Sequence, residues 1–396
     1  MPDAAPPLRP LMVVPDFDRI GGYELQALSL AAHHVSTGVP SFVVTNNHHD
    51  LPAREVRHGV TIHRLPFLPP SRKNWAALFT AFLVFLRAHR REYDVIHCHA
   101  LTFLAACCVR IGRLLGKPVV VKVATERDVR EFHDDRSFHF RLFFRWLKTA
   151  DRLLCLSERI RAEAIACGFR DEQAVIVRNG VDTRRFAPAS PETRAAARTA
   201  LGLRDGELAL LYVGRLVQRK GVDVLLNALP LCGPAAQARV FVVGDGERAA
   251  EWRALAQDLG VAARVTFAGE QADVAPFLAA ADAFVFPSRL EGLPNALLEA
   301  MACGLPAIAT RIGGCVDVMT DDAGILVGSD DARALAAAMD RLAADAGERA
   351  RLGEAARRRV QSAFSFDVTA ERLQSIYREV ARPVTARPSS TPASPR

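Results

Sequence analysis

The sequence predicts an α/β protein of two doubly wound domains, each a parallel sheet with helices on both faces. Three observations carry that expectation. Short apolar runs alternate with helical stretches from one end of the chain to the other, the pattern of parallel sheets. The length of 396 residues exceeds what one core usually supports, at about 150 residues per domain. The alternation is interrupted once, by the turn signal Arg178-Asn179-Gly180-Val181-Asp182 and the linker Ala187-Pro188-Ala189-Ser190-Pro191, and then restarts. The expected layout is 1–187 as the first domain, 188–365 as the second, 366–382 as a closing helix, and 383–396 as a tail whose Pro, Ser and Thr read as disordered.

In the first half, strands are expected at 11–14, 42–45, 60–64, 94–97, 118–122, 152–156 and 174–177. Ile20-Gly21-Gly22 follows the first of these and precedes a helix rich in Leu and Ala. Paired glycines there let backbone amides approach a ligand, although they are also ordinary turn chemistry. The fourth strand runs into Asp94-Val95-Ile96-His97-Cys98-His99. Open α/β sheets bind ligands at the carboxyl ends of their strands, so His99 is expected to point toward a crevice; a satisfied structural histidine is the alternative.

In the second half, strands are expected at 208–213, Arg239–Val243, 265–268 and Ala283–Phe286, and late helices at 331–343, 348–363 and 366–380. The loop GRLVQRKG at 214–221 sets Arg215 and Lys220 where a pyrophosphate could lie, Arg as a fork and Lys as a point charge. As solvated surface charges they would be unremarkable. GDGERA at 244–249 matches the dinucleotide-binding pattern G-x-G-x-x-A, with Glu270 further on. Asp245 and Glu247 would set carboxylates against a pyrophosphate, so an NAD site is not expected.

The stretch FPSRLEGLPNALLEAMACGLP, 286–306, reads as the end of a strand, a loop and a helix start. Pro294 suits the first turn because its missing N–H has no partner there. Glu291 then lies in the loop, Glu299 on the helix about one and a half turns in, and the free amides of Asn295 and Ala296 between them. Amides at a helix N-terminus attract anions. A carboxylate on each side of a phosphate site fits a ligand with hydroxyls at both ends and phosphate in the middle, which is the layout of a nucleotide sugar. The alternative is that the two Glu only complement the helix dipole and that Gly304-Leu305-Pro306 only ends the helix.

Half of the residues are hydrophobic and 24% charged, a globular composition. The longest nearly apolar run, 75–86, is short of the roughly 20 residues that span a bilayer, and no secretory signal is expected. The eight cysteines form no C-x-x-C pair and read as buried, reduced thiols of a cytoplasmic protein. Up to Arg185 there are 27 Lys and Arg against 19 Asp and Glu, a surplus of 8, which leaves −1 of the formal +7 for the rest. That asymmetry points the first half at a polyanion or an anionic membrane surface. Nucleic acid is not the expected partner, since no helix-turn-helix, zinc finger or RNP-like string occurs. In FHFRLFFRWLK, 138–148, Arg141, Arg145 and Lys148 share one helical face beside an apolar stripe of Phe140, Phe144 and Leu147. The run 75–86, flanked by Arg72, Lys73, Arg87, Arg90 and Arg91, is a second candidate for a membrane surface. Both could equally be helices that cover the sheet and show their cations to water.

Taken together, Gly21-Gly22, DVIHCH at 94–99, NGVD at 179–182, G-R-L-x-x-x-K-G at 214–221, VGDG at 243–246 and EGLPNALLEAMACGLP at 291–306 resemble the retaining GT-B glycosyltransferases of family 4. The resemblance implies two Rossmann-like domains facing a cleft, with the acceptor held by the first and the donor mostly by the second. It also implies that the final helix returns to the first domain. Carried over position by position, it implies that Arg215 and Lys220 neutralise the diphosphate and that Glu299 accepts the ribose hydroxyls. Glu291, with the backbone of Leu293, Pro294, Asn295 and Ala296, would hold the donor sugar and phosphate. Gly21, Gly22, Gly214 and Gly244 would line the donor site, and His99 would lie near the anomeric carbon. The expected activity is transfer of a hexose from a UDP- or GDP-sugar to a lipid-linked or growing glycan by front-side attack, in which the leaving phosphate oxygen takes the acceptor's proton. No cofactor and no metal are expected, and no D-x-D metal motif is required in that scheme. The expected location is the cytoplasm, peripheral to the inner face of the membrane. An epimerase, a phosphorylase or a non-catalytic nucleotide-sugar binder are the competing classes. Tyr23 after the glycines, Asp317 after Gly313-Gly314, and Thr125-Glu126 after the fifth strand depart from the family pattern, which bears on acceptor choice and on fine donor geometry.

Overall fold

The computed structural model describes residues 6–16, 22–47, 51–66, 74–123, 128–134 and 137–381. The expectations that fall on Gly21, Arg72, Lys73, Thr125-Glu126 and the tail 383–396 lie outside them. The chain divides into two compact units: one of Met1–Cys155, Ile160–Val177 and Ala370–Arg396, and one of Leu156–Arg159 and Arg178–Thr369. The division falls at Val177/Arg178, inside the stretch that the sequence reading assigned to the first domain.

The first unit is built on an eight-stranded sheet of β1 (Pro10–Asp16), β2 (Phe42–Asn47), β3 (Arg54–Arg57), β4 (Val60–Pro66), β5 (Val95–Cys98), β6 (Val119–Val123), β7 (Arg152–Cys155) and β8 (Ala174–Ile176). The order across the sheet is β3-β4-β2-β1-β5-β6-β7-β8. Every pairing is parallel except the hairpin β3–β4, which turns through His58 and Gly59, both at positive φ. β5 and β6 are buried at every position, as strands with helices on both faces must be. The second unit carries a six-stranded, wholly parallel sheet of β9 (Ala209–Val213), β10 (Arg239–Val243), β11 (Val265–Gly269), β12 (Ala283–Phe286), β13 (Ala307–Thr310) and β14 (Ile325–Val327), in the order β11-β10-β9-β12-β13-β14. β9 and β12 are neighbours at the centre, so the loops that follow them leave the same edge of the sheet.

The helix Phe366–Ala381 is shared by the division: its first residues group with the second unit, and those from Ala370 onward with the first. Within the first unit, its Tyr377 and Gln374 bond to His97 and to the backbone of Leu8.

Candidate functional site

The loop after β9 begins at Gly214, and the Tyr212 hydroxyl donates to the carbonyl of Arg215 at 3.2 Å. Arg215 is exposed, and among the described residues its guanidinium has no hydrogen bond or ion pair. Gly244, which opens the loop after β10, has a φ of +131°, and a Cβ there would lie 2.0 Å from the carbonyl oxygen of Gly214. Its lack of a side chain is therefore already required by the contact between two loop backbones. A Cβ on Gly246 would likewise lie 2.5 Å from the carbonyl oxygen of Leu216, so backbone contacts account for both glycines of the dinucleotide-like pattern at 244–249.

Three residues, Gln218–Lys220, then form a 3₁₀ turn closed by Gly221 at φ +67°. A Cβ on Gly221 would lie 2.0 Å from the carbonyl oxygen of Pro287, so this loop and the loop after β12 meet backbone to backbone. That approach brings Lys220 Nζ to 2.5 Å from Glu291 Oε1 and 5.3 Å from the centre of the Phe286 ring. The pair is largely shielded, with side chains 13% and 8% exposed. Ser288 Oγ lies 2.5 Å from the same Glu291 oxygen and 3.1 Å from the carbonyl of Arg219, so its single proton serves one or the other. Thr310 Oγ1, from the end of β13, donates to the Ser288 carbonyl.

The helix Asn295–Ala302 starts two residues past Leu293. Pro294 occupies the capping position ahead of the first helical residue and offers no side-chain cap. The first intrahelical bond is from Leu298 N to Pro294 O at 3.2 Å, so the amides of Asn295, Ala296 and Leu297 precede the ladder and present an anion-attracting end. Asn179 Nδ2 donates to Asn295 Oδ1 at 2.9 Å, which brings the NGVD turn to this helix start. In the sequence that turn marks only a domain boundary and the family resemblance. Glu299 keeps part of its surface at solvent, yet burial pushes its carboxyl up to about 7, against the opposing pull of Arg185. Arg185, which pairs with Asp273 at 3.2 Å, had not been singled out from the sequence.

The structure thus gathers Gly214, Arg215, Lys220, Gly244, Glu291, Leu293, Pro294, Asn295, Ala296 and Glu299 on adjacent strand ends and loops of one unit. Gly22 belongs to the other unit, where it is the first residue of the helix Gly22–Ser36. His99 is also in that unit and is fully buried, rather than opening toward solvent as its place at a strand end suggested. Its ring stacks on His97 at 4.2 Å, with Nε2 3.2 Å from Met12 Sδ and Nδ1 unpartnered. His97 Nδ1 in turn lies 2.7 Å from the Tyr377 hydroxyl. Burial drives both imidazoles well below their ordinary pKa, so both are neutral. Lys122, buried on β6 near them, is pulled down to about 8 by desolvation. Among the described residues, no group of three or more His, Cys, Asp or Glu is placed to hold a metal ion.

Two doubly wound parallel-sheet units of this kind are the GT-B fold. Comparison with solved structures agrees: HepE of Anabaena, crystallised in complex with UDP, superimposes with a TM-score of 0.78 at 20% identity, over 94% of this chain and all of that one. Sucrose-phosphate synthase of Thermosynechococcus elongatus gives 0.73 at 25% identity, over 94% of this chain and 98% of that one. At the family level, residues 193–359 match the glycosyl transferases group 1 and residues 20–185 match glycosyltransferase family 4. The chain belongs to the group 1 glycosyltransferases. Among its relatives, a GDP-mannose-dependent monoacylated alpha-(1-6)-phosphatidylinositol monomannoside mannosyltransferase of Corynebacterium glutamicum is 37% identical over 214 residues, 52% of this chain and 56% of that enzyme. A D-inositol 3-phosphate glycosyltransferase of Stackebrandtia nassauensis is 29% identical over 95% of this chain and 90% of that one.

Proposed function

We propose that this glycosyltransferase moves a hexose, with retention, from a UDP- or GDP-sugar to a hydroxyl of a lipid-linked or growing glycan. The observation that carries the reading is the shielded Lys220–Glu291 pair beside the N-terminal end of the helix Asn295–Ala302, whose dipole attracts anions, with Arg215 nearby in sequence. Departure of a nucleoside diphosphate leaves charge on phosphate oxygens, and cations and amides fixed beforehand around that charge lower the barrier most. Lys220 and Arg215 supply the cations and the helix start supplies the amides. Glu291 keeps Lys220 in place, and Glu299 receives the ribose hydroxyls. The scheme routes no step through a metal ion.

The acceptor reading draws on relatives whose names include a phosphatidylinositol mannoside mannosyltransferase and the lipopolysaccharide core glycosyltransferase LpsE of Rhizobium meliloti. A glycan acceptor anchored in lipid also suits the positive surplus of the first half, with Arg141 and Arg145 exposed, although Phe144 and Leu147 are buried against their own unit. What faces outward is then mostly charge, and the proposed contact is electrostatic association with anionic lipid.

The test is a panel of UDP- and GDP-hexoses screened by thermal shift, followed by assay of nucleoside diphosphate release. The true donor, at 100 times its Kd, should stabilise the protein by about 2.7 kcal/mol. Release should require an acceptor hydroxyl, keep the anomeric configuration and survive EDTA. Acceptor-independent conversion would indicate an epimerase, and binding without turnover a carrier. Loss in EDTA with recovery in magnesium would overturn the metal-free scheme.

A further inference from the structure

The loops that carry Lys220 and Glu291 are joined by a side chain that no reading above has used. Arg289 lies two positions ahead of Glu291, and its backbone N–H donates to the carbonyl of Arg219 at 2.8 Å. Its guanidinium reaches three more groups. Nη1 donates to the Gln218 carbonyl at 2.6 Å and to Asp223 Oδ1 at 2.9 Å, Nη2 to Asp223 Oδ2 at 2.7 Å, and Nε to Asp330 Oδ1 at 2.6 Å. Gln218 and Arg219 immediately precede Lys220, while Asp223 sits in the first turn of the helix Val222–Ala228 that follows it. One residue therefore grips the chain on both sides of Lys220.

The need for such a grip follows from what holds Lys220. A 3₁₀ turn of three residues has poor internal hydrogen bonding and little stiffness of its own. An ammonium on a flexible four-carbon stem adds further freedom. A charge meant to stabilise a leaving group must already be in place when the bond breaks. The bidentate Arg289–Asp223 pair, 23% exposed on each side, is the kind of contact that fixes geometry as well as adding energy.

We propose that Arg289 is a positioning residue of the donor site, acting through Gln218, Arg219 and Asp223 to hold the Lys220 ammonium where the nucleotide diphosphate binds. The proposal rests on the donor-site reading above. Because Arg289 acts through Lys220, removing it should matter only while Lys220 is present.

The experiment is calorimetric titration of UDP and of GDP into the full-length wild type, Arg289→Met, Lys220→Ala and the double variant. For whichever nucleotide the wild type binds more tightly, Arg289→Met should weaken binding about tenfold, but less than about twofold where Lys220 is already Ala. A residue that merely stabilises the fold would cost the same in both backgrounds. Asp223→Asn, which keeps the shape of the partner, should give a smaller loss with the same dependence on Lys220, and it carries the test if Arg289→Met does not fold. Equal losses in both backgrounds, or no loss, overturn the positioning role and leave the donor site standing. Failure of the wild type to bind either nucleotide overturns the donor-site reading and this inference with it.

Discussion

The two units use the same architecture, yet they place their polar groups at the strand ends in opposite ways. In the second unit the charged residues sit in loops past β9 and β12, where Lys220 and Glu291 pair at 2.5 Å with part of their surface still reachable. In the first unit the polar residues belong to the strands themselves or to the position just beyond: His97 in β5, Lys122 in β6, and His99, whose amide continues the ladder to Val13. Central strands of a parallel sheet have no open face, so these groups are buried and the histidines are held neutral. Lys220 lies seven residues past the end of β9 and Glu291 five past the end of β12, whereas His99 lies one past the end of β5, and that length of chain separates the partly exposed pair from the buried polar cluster.

The largest expected effect follows from that contrast. Lys220→Ala should lower kcat/KM for the donor by two or more orders of magnitude, in line with about 3 kcal/mol for a lost charge-stabilising group, when assayed at a temperature where the variant is fully folded. Tyr377→Phe, which deletes the partner of His97 in the first unit, should do the reverse and lower the midpoint by about 1–3 kcal/mol of stability with little change in donor turnover. Swapped outcomes would break the comparison.

A second contrast is the sign of the pH dependence. His34, buried in the first unit, is pulled by desolvation from 6.5 to about 4, with His33 adding to the shift. Below 6.5 the unfolded chain takes up a proton that the folded chain refuses, so stability falls as the pH drops from 6.5 toward 4. At about 1.4 kcal/mol per pH unit this is about 3 kcal/mol for His34 alone. His97 and His99 act in the same direction. Glu299 in the second unit behaves oppositely. Its folded pKa is raised from 4.5 to about 7, so its favourable contribution is complete below 4.5 and disappears as the pH rises to 7. Hydrogen exchange, corrected for intrinsic rates, should therefore show the helix Gly22–Ser36 losing protection on acidification. Glu299→Gln should protect the helix Asn295–Ala302 relative to wild type at high pH and make little difference at low pH. Parallel behaviour of the two units would refute the assignment of these groups.

The same contrast explains what could be read from the sequence. Strands such as VVVKV and AFVF announce themselves because burial on both faces demands continuous apolar runs. β3 escaped because REVR, at a sheet edge, is half exposed and no more apolar than a loop. β13 escaped because AIAT holds two alanines, weak strand formers, and one aliphatic side chain larger than alanine; β14, ILV, is apolar and nothing in the structure explains why it was missed. The loops proposed to hold the donor were legible because glycine, cation and carboxylate lie close together in the chain. Asn179–Asn295 and Arg289–Asp223 were not, since partners 116 and 66 residues apart meet only through the fold.

The smallest expected effect concerns the charge asymmetry itself. As read from the sequence, the run 138–148 offers a cationic face beside an apolar stripe as a candidate for docking on a membrane surface, with a helix that only covers the sheet as the alternative. In the structure Phe143, Phe144 and Leu147 are buried, Trp75 packs on Phe143 at 6.3 Å and Phe79 on Trp146 at 6.2 Å, so most of that stripe is engaged within the unit. Phe140 remains 38% exposed. Lys148 is also less available than its spacing suggested, because its ammonium lies 5.4 Å from the centre of the Phe144 ring. Arg141 and Arg145 are the exposed cations of the set, with Arg87 in the last turn of the helix Trp75–Ala88 and Arg90 and Arg91 beyond it as a second group. Each cation near an anionic surface contributes about 1 kcal/mol, lost within a Debye length as salt rises. Replacing Arg141 and Arg145 by Gln should therefore weaken co-sedimentation with anionic vesicles about thirtyfold at low salt, whereas Lys148→Gln should cost less than either arginine. With little apolar surface left to insert, neutral vesicles should not bind at all. Equal binding to neutral and anionic vesicles would mean that an apolar surface does the docking, and no binding to either would point to a soluble acceptor.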